Sequence, residues 1–302
     1  MGLNHKHGDA RDKLNRPARR CLAQTIALTV SIMLFEVVGG LMANSLSLLS
    51  DAGHMFTDAL ALGMALFAVT VACRPATARK TYGFYRIEIL SALSNGVILV
   101  VIALVIFYEA YQRFSRPQPV EGPMVLLVAS VGLVANLAGM WILGRATGNI
   151  NVRSARLHVL SDALSSAGVL VGGAIITLTS WYRIDSLLSF AIGGAILVGA
   201  YHVLKETVDI LLESTPMGLE LEEVYRAIEG IDGIKGVHDL HIWSITSGMT
   251  ALSGHVILDS VTLANSDDLL NCIKSMLTER FRIDHTTIQV ESESYTEVGE
   301  VH

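Results

Sequence analysis

Two histidine–aspartate pairs lie inside long apolar stretches of the sequence. His54 stands four residues before Asp58, and His158 stands four residues before Asp162. Residues four apart share one face of an α-helix, so two facing helices would direct two imidazoles and two carboxylates at a single point. Two nitrogen and two oxygen ligands match the four-coordinate geometry that zinc adopts in proteins. The spacing therefore predicts one zinc-binding site between two buried helices.

The aspartates of these pairs argue for a bound cation, because charged side chains are costly in an apolar setting. At the centre of a membrane helix each aspartate costs about 2.5 to 3.5 kcal/mol, which a divalent cation or a water-filled cavity offsets. The alternative is a set of His–Asp hydrogen bonds that only join helices. That alternative does not explain why the same spacing occurs twice.

Further polar residues share these apolar stretches. Asp51 lies three residues before His54 on the same helical face. Its possible roles are a cavity-lining entry group, a partner of the ligands, a helix N-terminal residue and a direct ligand. Three other residues either line the same cavity or make interhelical hydrogen bonds: Glu36, Asn95 and Asn136.

The amino-acid composition places these residues in a membrane. The chain has 302 residues, of which 51% are hydrophobic, and its mean hydropathy is +0.49. Six apolar segments approach the length of about 20 residues that a bilayer core requires. They cover residues 21–42, 46–72, 87–111, 122–144, 155–180 and 186–207. We therefore predict a membrane α-helical bundle with six transmembrane helices.

Charge divides the chain near residue 207. Residues 1–207 hold 17 basic and 11 acidic side chains, whereas residues 208–302 hold 5 and 17. The division predicts a mobile cytoplasmic tail at 1–20, a transmembrane domain at 21–207 and a water-soluble domain at 208–302. The tail and the loops after the second and fourth spans carry most of the basic residues, so the positive-inside tendency places both termini in the cytoplasm.

The C-terminal region has the pattern of a small α/β domain. Helical periodicity covers Leu219–Ile228, and a second helix is expected at Ser266–Phe281. Strand-like segments cover Val237–Thr246, Ala251–Leu258 and His285–Ser292. The order αββαβ predicts helices covering one face of a mixed or antiparallel sheet, of the ferredoxin-like or metallochaperone-like kind.

Histidines in this region mark a second candidate metal site. They lie on or beside the expected strands together with a glutamate: His238, His241, His255, His285 and Glu291. Imidazole and carboxylate suit zinc, and surface or packing roles are the alternative. His5 and His7 are either additional ligands or part of a solvated tail. The three cysteines are widely separated and form no CxxC motif, which argues against a disulfide framework and a cysteine-based zinc site.

Five segments resemble the cation diffusion facilitator family, specifically its zinc-transporting branch. They span nearly the whole chain: SLSLLSDAGHMFTD at 45–58, TYGFYRIEIL at 81–90, HVLSDALSS at 158–166, LLESTP at 211–216 and VHDLHIWS at 237–244. The resemblance implies a homodimer with six spans per subunit that exchanges cytoplasmic zinc for protons. It assigns the transport site to His54, Asp58, His158 and Asp162, in agreement with the spacing.

The resemblance also implies a metal site in the cytoplasmic domain. It assigns the ligands to three residues: His238, His255 and Glu291. His5 and His7 are further contributors from the tail. His285 matches a histidine of an interface site in vertebrate members, but its partner histidine between the second and third spans is missing here. The histidine-rich loop of eukaryotic members is also missing, which favours a multi-pass protein of a bacterial plasma membrane.

Together these features predict proton-coupled export of zinc by alternating access. Cadmium, cobalt and other divalent transition metals are further candidate substrates. Metal ligands must lose protons before they bind zinc, so protons and zinc compete for the site. The expected partners are zinc, protons, a lipid bilayer and a second copy of the chain, with zinc also as a regulatory ligand. No nucleic-acid partner is expected.

Two other classes of function compete with transport. An intramembrane zinc hydrolase typically carries an HExxH motif, which the sequence lacks, and a four-ligand site leaves no position for a catalytic water. We therefore predict that the protein is not an enzyme. A metal sensor or a transport-silent partner subunit would bind zinc without moving it, which the two intact His–Asp pairs disfavour. Zinc flux across a vesicle membrane separates the three classes.

Overall fold

The computed structural model describes residues 27–72, 74–144, 150–246, 248–259 and 266–292. Within these ranges six helices come first: α1 (Ala27–Ala43), α2 (Leu46–Ala72), α3 (Arg86–Ser115), α4 (Gly122–Gly144), α5 (Ile150–Thr179) and α6 (Arg183–Leu211). A small α/β region follows, with α7 (Leu221–Glu229), β1 (Ile234–Thr246), β2 (Met249–Leu258), α8 (Ser266–Phe281) and β3 (Ile283–Ser292). The predicted combination of an apolar helical domain and an αββαβ domain is confirmed.

Several helices match the thickness of a membrane. Among the described residues, four segments are long and apolar enough to cross one: Arg86–Ser115, Gly122–Ile142, Val159–Thr179 and Arg183–Leu211. The described part of α1 is apolar but shorter, and α2 has 27 residues. Many large apolar side chains of these helices are exposed, as a lipid-facing surface requires. The total of six spans and their direction across the membrane stay predictions.

The chain forms two compact units. Among the described residues, the first contains 27–64 together with those between Ser94 and His202, and the second contains those between Ala65 and Leu93 and those from Val203 to Ser292. Because α2, α3 and α6 each contribute to both units, the units do not follow the helix boundaries. The predicted domain boundaries at residues 20 and 207 stay predictions.

One hydrophobic core of the first unit joins α4 and α5 to the end of α1 and the start of α2. Its buried members are Ala43, Leu48, Val120, Val125, Val128, Ala129, Val169 and Ile176. Glycine permits the closest approach in this core, because a Cβ at Gly39 of α1 would overlap the side chain of Val128. A Cβ at Gly173 of α5 would lie 2.9 Å from Val125 Cγ1. Both glycines therefore permit close packing of the helices.

The second unit contains a three-stranded mixed sheet in the order β1-β2-β3. β1 and β2 are antiparallel, whereas β2 and β3 are parallel. Both helices of the α/β region pack on one face of this sheet, through Val224 and Ile228 of α7 and Leu269, Ile273 and Leu277 of α8. The opposite face is therefore available for polar side chains, and it carries the second candidate metal site.

Candidate metal sites

Three of the four predicted transport ligands meet in the first unit. His54 and Asp58 lie one turn apart on α2, and Asp162 lies on α5. One ligand atom from each residue lies within 4.8 Å of the others, and His54 Nδ1 is 3.7 Å from Asp58 Oδ2. Asp162 is buried, while His54 and Asp58 are half-buried. Small side-chain movements would close these three groups around one divalent cation.

The fourth predicted ligand, His158, lies on α5 four residues before Asp162. Helical geometry places the two residues on the same side of α5. The side chain of His158 lies outside the part of the chain that the structure describes. Its role as a ligand therefore stays a prediction.

Asp51 joins α2 to α5 beside this cluster. It is buried, and its carboxylate accepts hydrogen bonds from Ser165 Oγ at 2.6 Å and Ser166 Oγ at 3.4 Å. Asn136 of α4 donates to Ser166 Oγ at 3.3 Å and extends the network to a third helix. Because serine hydroxyls donate hydrogen bonds to both carboxylate oxygens of Asp51, the structure favours a role for Asp51 in joining the ligand-bearing helices over a role as a direct metal ligand.

The other polar residues of the membrane helices behave differently from one another. Asn136 makes the interhelical hydrogen bond that was one of its two expected roles. Glu36 of α1 is fully buried, and neither carboxylate oxygen has a hydrogen-bond partner among the described residues. Gly132 of α4 leaves room for this carboxylate, since a Cβ there would lie 2.5 Å from Glu36 Oε1. Asn95 is also buried, and its side-chain oxygen has no partner within the described ranges.

Strand pairing explains how the second cluster assembles. His238 of β1 is paired with His255 of β2, and His255 is paired with Gln289 of β3. Residues paired across neighbouring strands share a face of the sheet, and Glu291 shares the face of Gln289 because side chains alternate with a period of two. The register thus brings two imidazoles and a carboxylate together on the face opposite the helices.

The second cluster has the geometry of a three-ligand metal site. Glu291 Oε1 lies 2.9 Å from His255 Nδ1, and Glu291 Oε2 lies 3.1 Å from His238 Nε2. The two imidazole rings are 4.9 Å apart between centroids, at an interplanar angle of 76°. The Glu291 side chain is only 5% exposed. One carboxylate thus contacts both imidazoles in a partly desolvated site, and one ligand atom from each residue lies within 4.8 Å of the others.

Two of the histidines considered from the sequence lie outside this cluster. His241 is exposed, and its Nε2 is 3.0 Å from Asp239 Oδ1. The ring of His285 packs edge-on against Tyr82, with 6.4 Å between ring centroids. His5 and His7 lie outside the described residues, so their contribution stays a prediction.

Two neighbours of the second cluster were not predicted from the sequence. Gln289 Nε2 donates to Glu291 Oε1 at 2.9 Å, and Asp239 Oδ2 lies 3.8 Å from His255 Nε2. The contact of Gln289 with Glu291 could have been predicted, because residues two apart on a strand lie on the same face. Asp239 has a positive φ of 50° at an irregularity in the β1–β2 register, which strand alternation does not reveal.

Comparison with known proteins covers almost the whole chain. The cation efflux transmembrane domain family matches residues 22–212, and the cytoplasmic domain family of cation efflux proteins matches residues 216–293. The chain is 40% identical over 299 residues to the Bacillus subtilis cadmium, cobalt and zinc/H(+)-K(+) antiporter, covering 98% of this chain and 93% of the relative. It is 39% identical over 294 residues to the Escherichia coli zinc transporter ZitB, covering 96% and 93%.

A solved structure also matches the C-terminal part. It is the metal-bound C-terminal domain of the CzcD transporter from Cupriavidus metallidurans, with 41% sequence identity and a TM-score of 0.23. The match covers 24% of this chain and 99% of that chain.

Proposed function

The chain belongs to the cation efflux family of membrane transporters, and on this premise we propose that it exports zinc from the cytoplasm in exchange for protons. The observation that carries the proposal is the cluster of His54, Asp58 and Asp162 on two apolar helices. Relatives named as zinc, cadmium and cobalt transporters support metal export, and the antiporter among them supports exchange for protons. Cadmium and cobalt are further candidate substrates.

Ligand chemistry explains why this site takes a transition metal. Imidazole nitrogen together with carboxylate oxygen suits zinc, whereas calcium and magnesium prefer oxygen ligands alone. His54, Asp58 and Asp162 supply one nitrogen donor and two carboxylates, and His158 is proposed as the second nitrogen donor. The two carboxylates neutralise the charge of the ion inside the apolar domain. The site thereby favours zinc over the harder divalent ions of the cytoplasm.

Competition between zinc and protons provides the coupling. The imidazoles bind zinc only when they are neutral, and binding releases their protons. In the proposed cycle the site takes zinc while it is open to the cytoplasm. When the site opens to an acidic far side, protons bind His54 and His158 and displace the ion. The protonated site then returns and releases its protons, which completes the exchange.

The second cluster is proposed as a regulatory zinc site in the cytoplasm. His238, His255 and Glu291 supply two nitrogens and a carboxylate, a ligand set that zinc accepts. The cytoplasmic domain family that matches residues 216–293 is the one named for dimerisation, which supports a homodimer. A multi-pass location in a bacterial plasma membrane, with both termini in the cytoplasm, completes the proposal.

Zinc flux in reconstituted vesicles tests the transport site. The purified protein, placed in vesicles with an imposed pH gradient, is expected to move zinc against the proton flow. Asp58→Ala and His158→Ala are each expected to lower the flux by more than about 100-fold, because each removes a direct ligand. His202→Ala is the matched control, since His202 is an exposed histidine of α6 whose Nδ1 lies 2.8 Å from Val198 O.

Two results would contradict the proposal. Zinc binding without flux in the parent protein would replace transport by a sensor or silent-subunit role. Normal flux in Asp58→Ala or His158→Ala would show that the ion passes elsewhere. Anomalous diffraction from zinc-soaked crystals locates the bound ions directly, and peaks are expected at both clusters.

A further inference from the structure

The first turn of α2 is held by a carboxylate from another helix. Asp185, in the first turn of α6, is buried. Its Oδ1 accepts hydrogen bonds from Ser45 Oγ at 2.6 Å, Ser47 Oγ at 2.6 Å and Ser47 N at 3.2 Å. Its Oδ2 accepts one from Leu46 N at 2.6 Å. Four donors at the start of one helix thus converge on a single side chain of another.

This arrangement acts as a helix cap supplied from outside α2. The first N–H groups of an α-helix have no hydrogen-bond partner within the helix. The side chain of the helix's own N-cap residue usually accepts a hydrogen bond from one of them. Ser45 does so only for Leu48 N, at 3.3 Å. Asp185 accepts from the N–H groups of Leu46 and Ser47, and its negative charge faces the positive end of the helix dipole. The bonds fix both the position and the rotation of the first turn.

The residue before this turn is anchored as well. Asn44 Nδ2 donates to Pro119 O at 3.0 Å, and Arg113 Nη1 donates to Asn44 O at 2.8 Å. Asn44 also has a positive φ of 51°, a tight conformation that such bonds help to maintain. The turn between α1 and α2 is therefore tied to the end of α3, to the α3–α4 loop and to α6.

The anchored turn lies close to the transport site along α2. His54 follows Leu46 by eight residues, or about 12 Å at the helical rise. Because α2 is one continuous hydrogen-bonded helix, a rotation of its first turn about the helix axis also turns His54 and Asp58 and carries them away from Asp162. Asp185 itself is not a member of either metal-ligand cluster in the described chain.

We propose that Asp185 is a positioning residue for zinc transport, which sets the position and rotation of α2 so that His54 and Asp58 face Asp162. The proposal rests on the proposed function of that cluster. It assigns Asp185 no contact with the ion. Ser45 and Ser47 act through the same carboxylate, so removing their hydroxyl groups should reproduce the effect of altering Asp185.

Zinc transport kinetics in reconstituted full-length protein test this role. Asp185→Asn keeps the shape of the side chain and removes its charge, whereas the Ser45→Ala/Ser47→Ala pair removes two donors and keeps Asp185. Each change is expected to raise the KM for zinc by about tenfold, the low end of the losses seen when groups that orient metal ligands are removed. Their effects should be less than additive, because all three residues belong to one hydrogen-bond network.

Ser50→Ala is the matched control, because Ser50 is a buried serine of α2 whose hydroxyl donates to Leu46 O at 2.8 Å and not to Asp185. Its KM should equal that of the parent. If the Ser45→Ala/Ser47→Ala variant lowered only Vmax and the unfolding temperature and left the KM unchanged, the hydrogen-bond network would have only a structural role. That result would overturn the proposal. Loss of flux in Asp185→Asn, with normal kinetics in the serine pair, would mean that Asp185 contacts the ion and would also overturn it.

If Asp185→Asn does not fold, the Ser45→Ala/Ser47→Ala variant still tests the positioning role, because that variant keeps the carboxylate of Asp185. Failure of the proposed function is recognised separately, because the parent protein itself would then show no zinc flux.

Discussion

Glu291 is the residue of the second cluster whose replacement gives the clearest measurable effect. Its two oxygens lie 2.9 Å and 3.1 Å from the imidazoles of His255 and His238. Glu291→Gln keeps the size of the side chain, removes the negative charge and turns one acceptor into a donor. The variant therefore loses a charged ligand of the proposed zinc site, and it also loses a group that contacts both histidines. We expect its zinc affinity to fall by about 100-fold.

This loss of affinity converts into a thermal shift. Zinc at 100 times the parent dissociation constant stabilises a one-site domain by about 2.7 kcal/mol, and a 100-fold weaker site gains only about 0.4 kcal/mol at the same zinc concentration. For domains of 60 to 100 residues, 1 kcal/mol moves the midpoint by about 4 to 8 °C. Residues 208–302 should therefore gain about 11 to 22 °C from zinc in the parent and about 2 to 3 °C in Glu291→Gln.

The assay is thermal unfolding of the separate C-terminal domain, with and without zinc. The domain has its own hydrophobic core, formed by α7, α8 and the three strands, so it is expected to fold alone. The zinc-induced shift is compared rather than the midpoint itself, because Glu291 also accepts a hydrogen bond from Gln289 without any metal. Glu279→Gln, an exposed substitution on α8, is the matched control and should keep the full shift.

A full zinc-induced shift in Glu291→Gln would refute the reasoning, because the carboxylate would then contribute nothing to the site. If zinc did not shift the unfolding midpoint of the parent domain, we would conclude that this cluster does not bind zinc. A shift lost in both Glu291→Gln and Glu279→Gln would point to the overall charge of the domain rather than to a specific ligand.

Three other outcomes are expected. Gly39→Ala should lower the free energy of unfolding of the helical domain by about 1 to 3 kcal/mol, because the new Cβ overlaps Val128. Gly194→Ala is the control: its Cβ meets open space, so the free energy of unfolding should change by no more than about 1 kcal/mol. Thermal unfolding in detergent compares the two variants. Asp51→Asn and Ser165→Ala should each slow zinc flux by about tenfold, with less than additive effects in the double variant. Acidification should weaken zinc binding to the separate C-terminal domain in calorimetry, because protons compete with zinc for its histidines.

The bounds of a helix were predicted well where the helix is no longer than its apolar segment. The predicted bounds 46–72 and 122–144 coincide with α2 and α4. α5 and α6 begin at Ile150 and Arg183, whereas the apolar segments begin at 155 and 186. Their first turns contain Arg153 and Asp185, because a helix continues past the edge of its apolar run. The apolar run measures the lipid-facing part, and only backbone hydrogen bonding sets the length of the helix.

The site residues divide into those that local spacing reveals and those that it does not. His54 and Asp58 were recognised because residues four apart meet on a helix. Asp185 was not recognised, since its partner Ser47 is 138 residues away in sequence. An acidic residue in the first turn of a helix is also common for electrostatic reasons alone. The hydrogen bond between Asp51 and Ser165 spans 114 residues and was missed for the same reason.

In the C-terminal α/β domain, strand alternation predicted the core but not the candidate metal site. Thr286, Ile288 and Val290 are half-buried, and Thr287 and Gln289 are exposed, as the alternation requires. Glu291 departs from the pattern, since it belongs to the exposed set and is nevertheless buried. Its burial comes from imidazoles on β1 and β2, whose position depends on the sheet register. The register could not be predicted from the sequence, so only the family resemblance selected His238, His255 and Glu291 from the wider set of candidate ligands.

Three buried aspartates in the described part of the first unit contrast a scaffold residue with a proposed ion ligand. The carboxylate of Asp185 accepts from two hydroxyls and two backbone N–H groups, and that of Asp51 accepts from two hydroxyls. Such neutral donors stabilise a buried carboxylate where it stands and hold two helices together. Asp162 instead lies beside Asp58 and His54, where two carboxylates face one imidazole. Two like charges in an apolar domain repel each other unless one of them is protonated or a positive charge lies between them, which is why this pair, and not Asp51 or Asp185, is proposed to hold the ion.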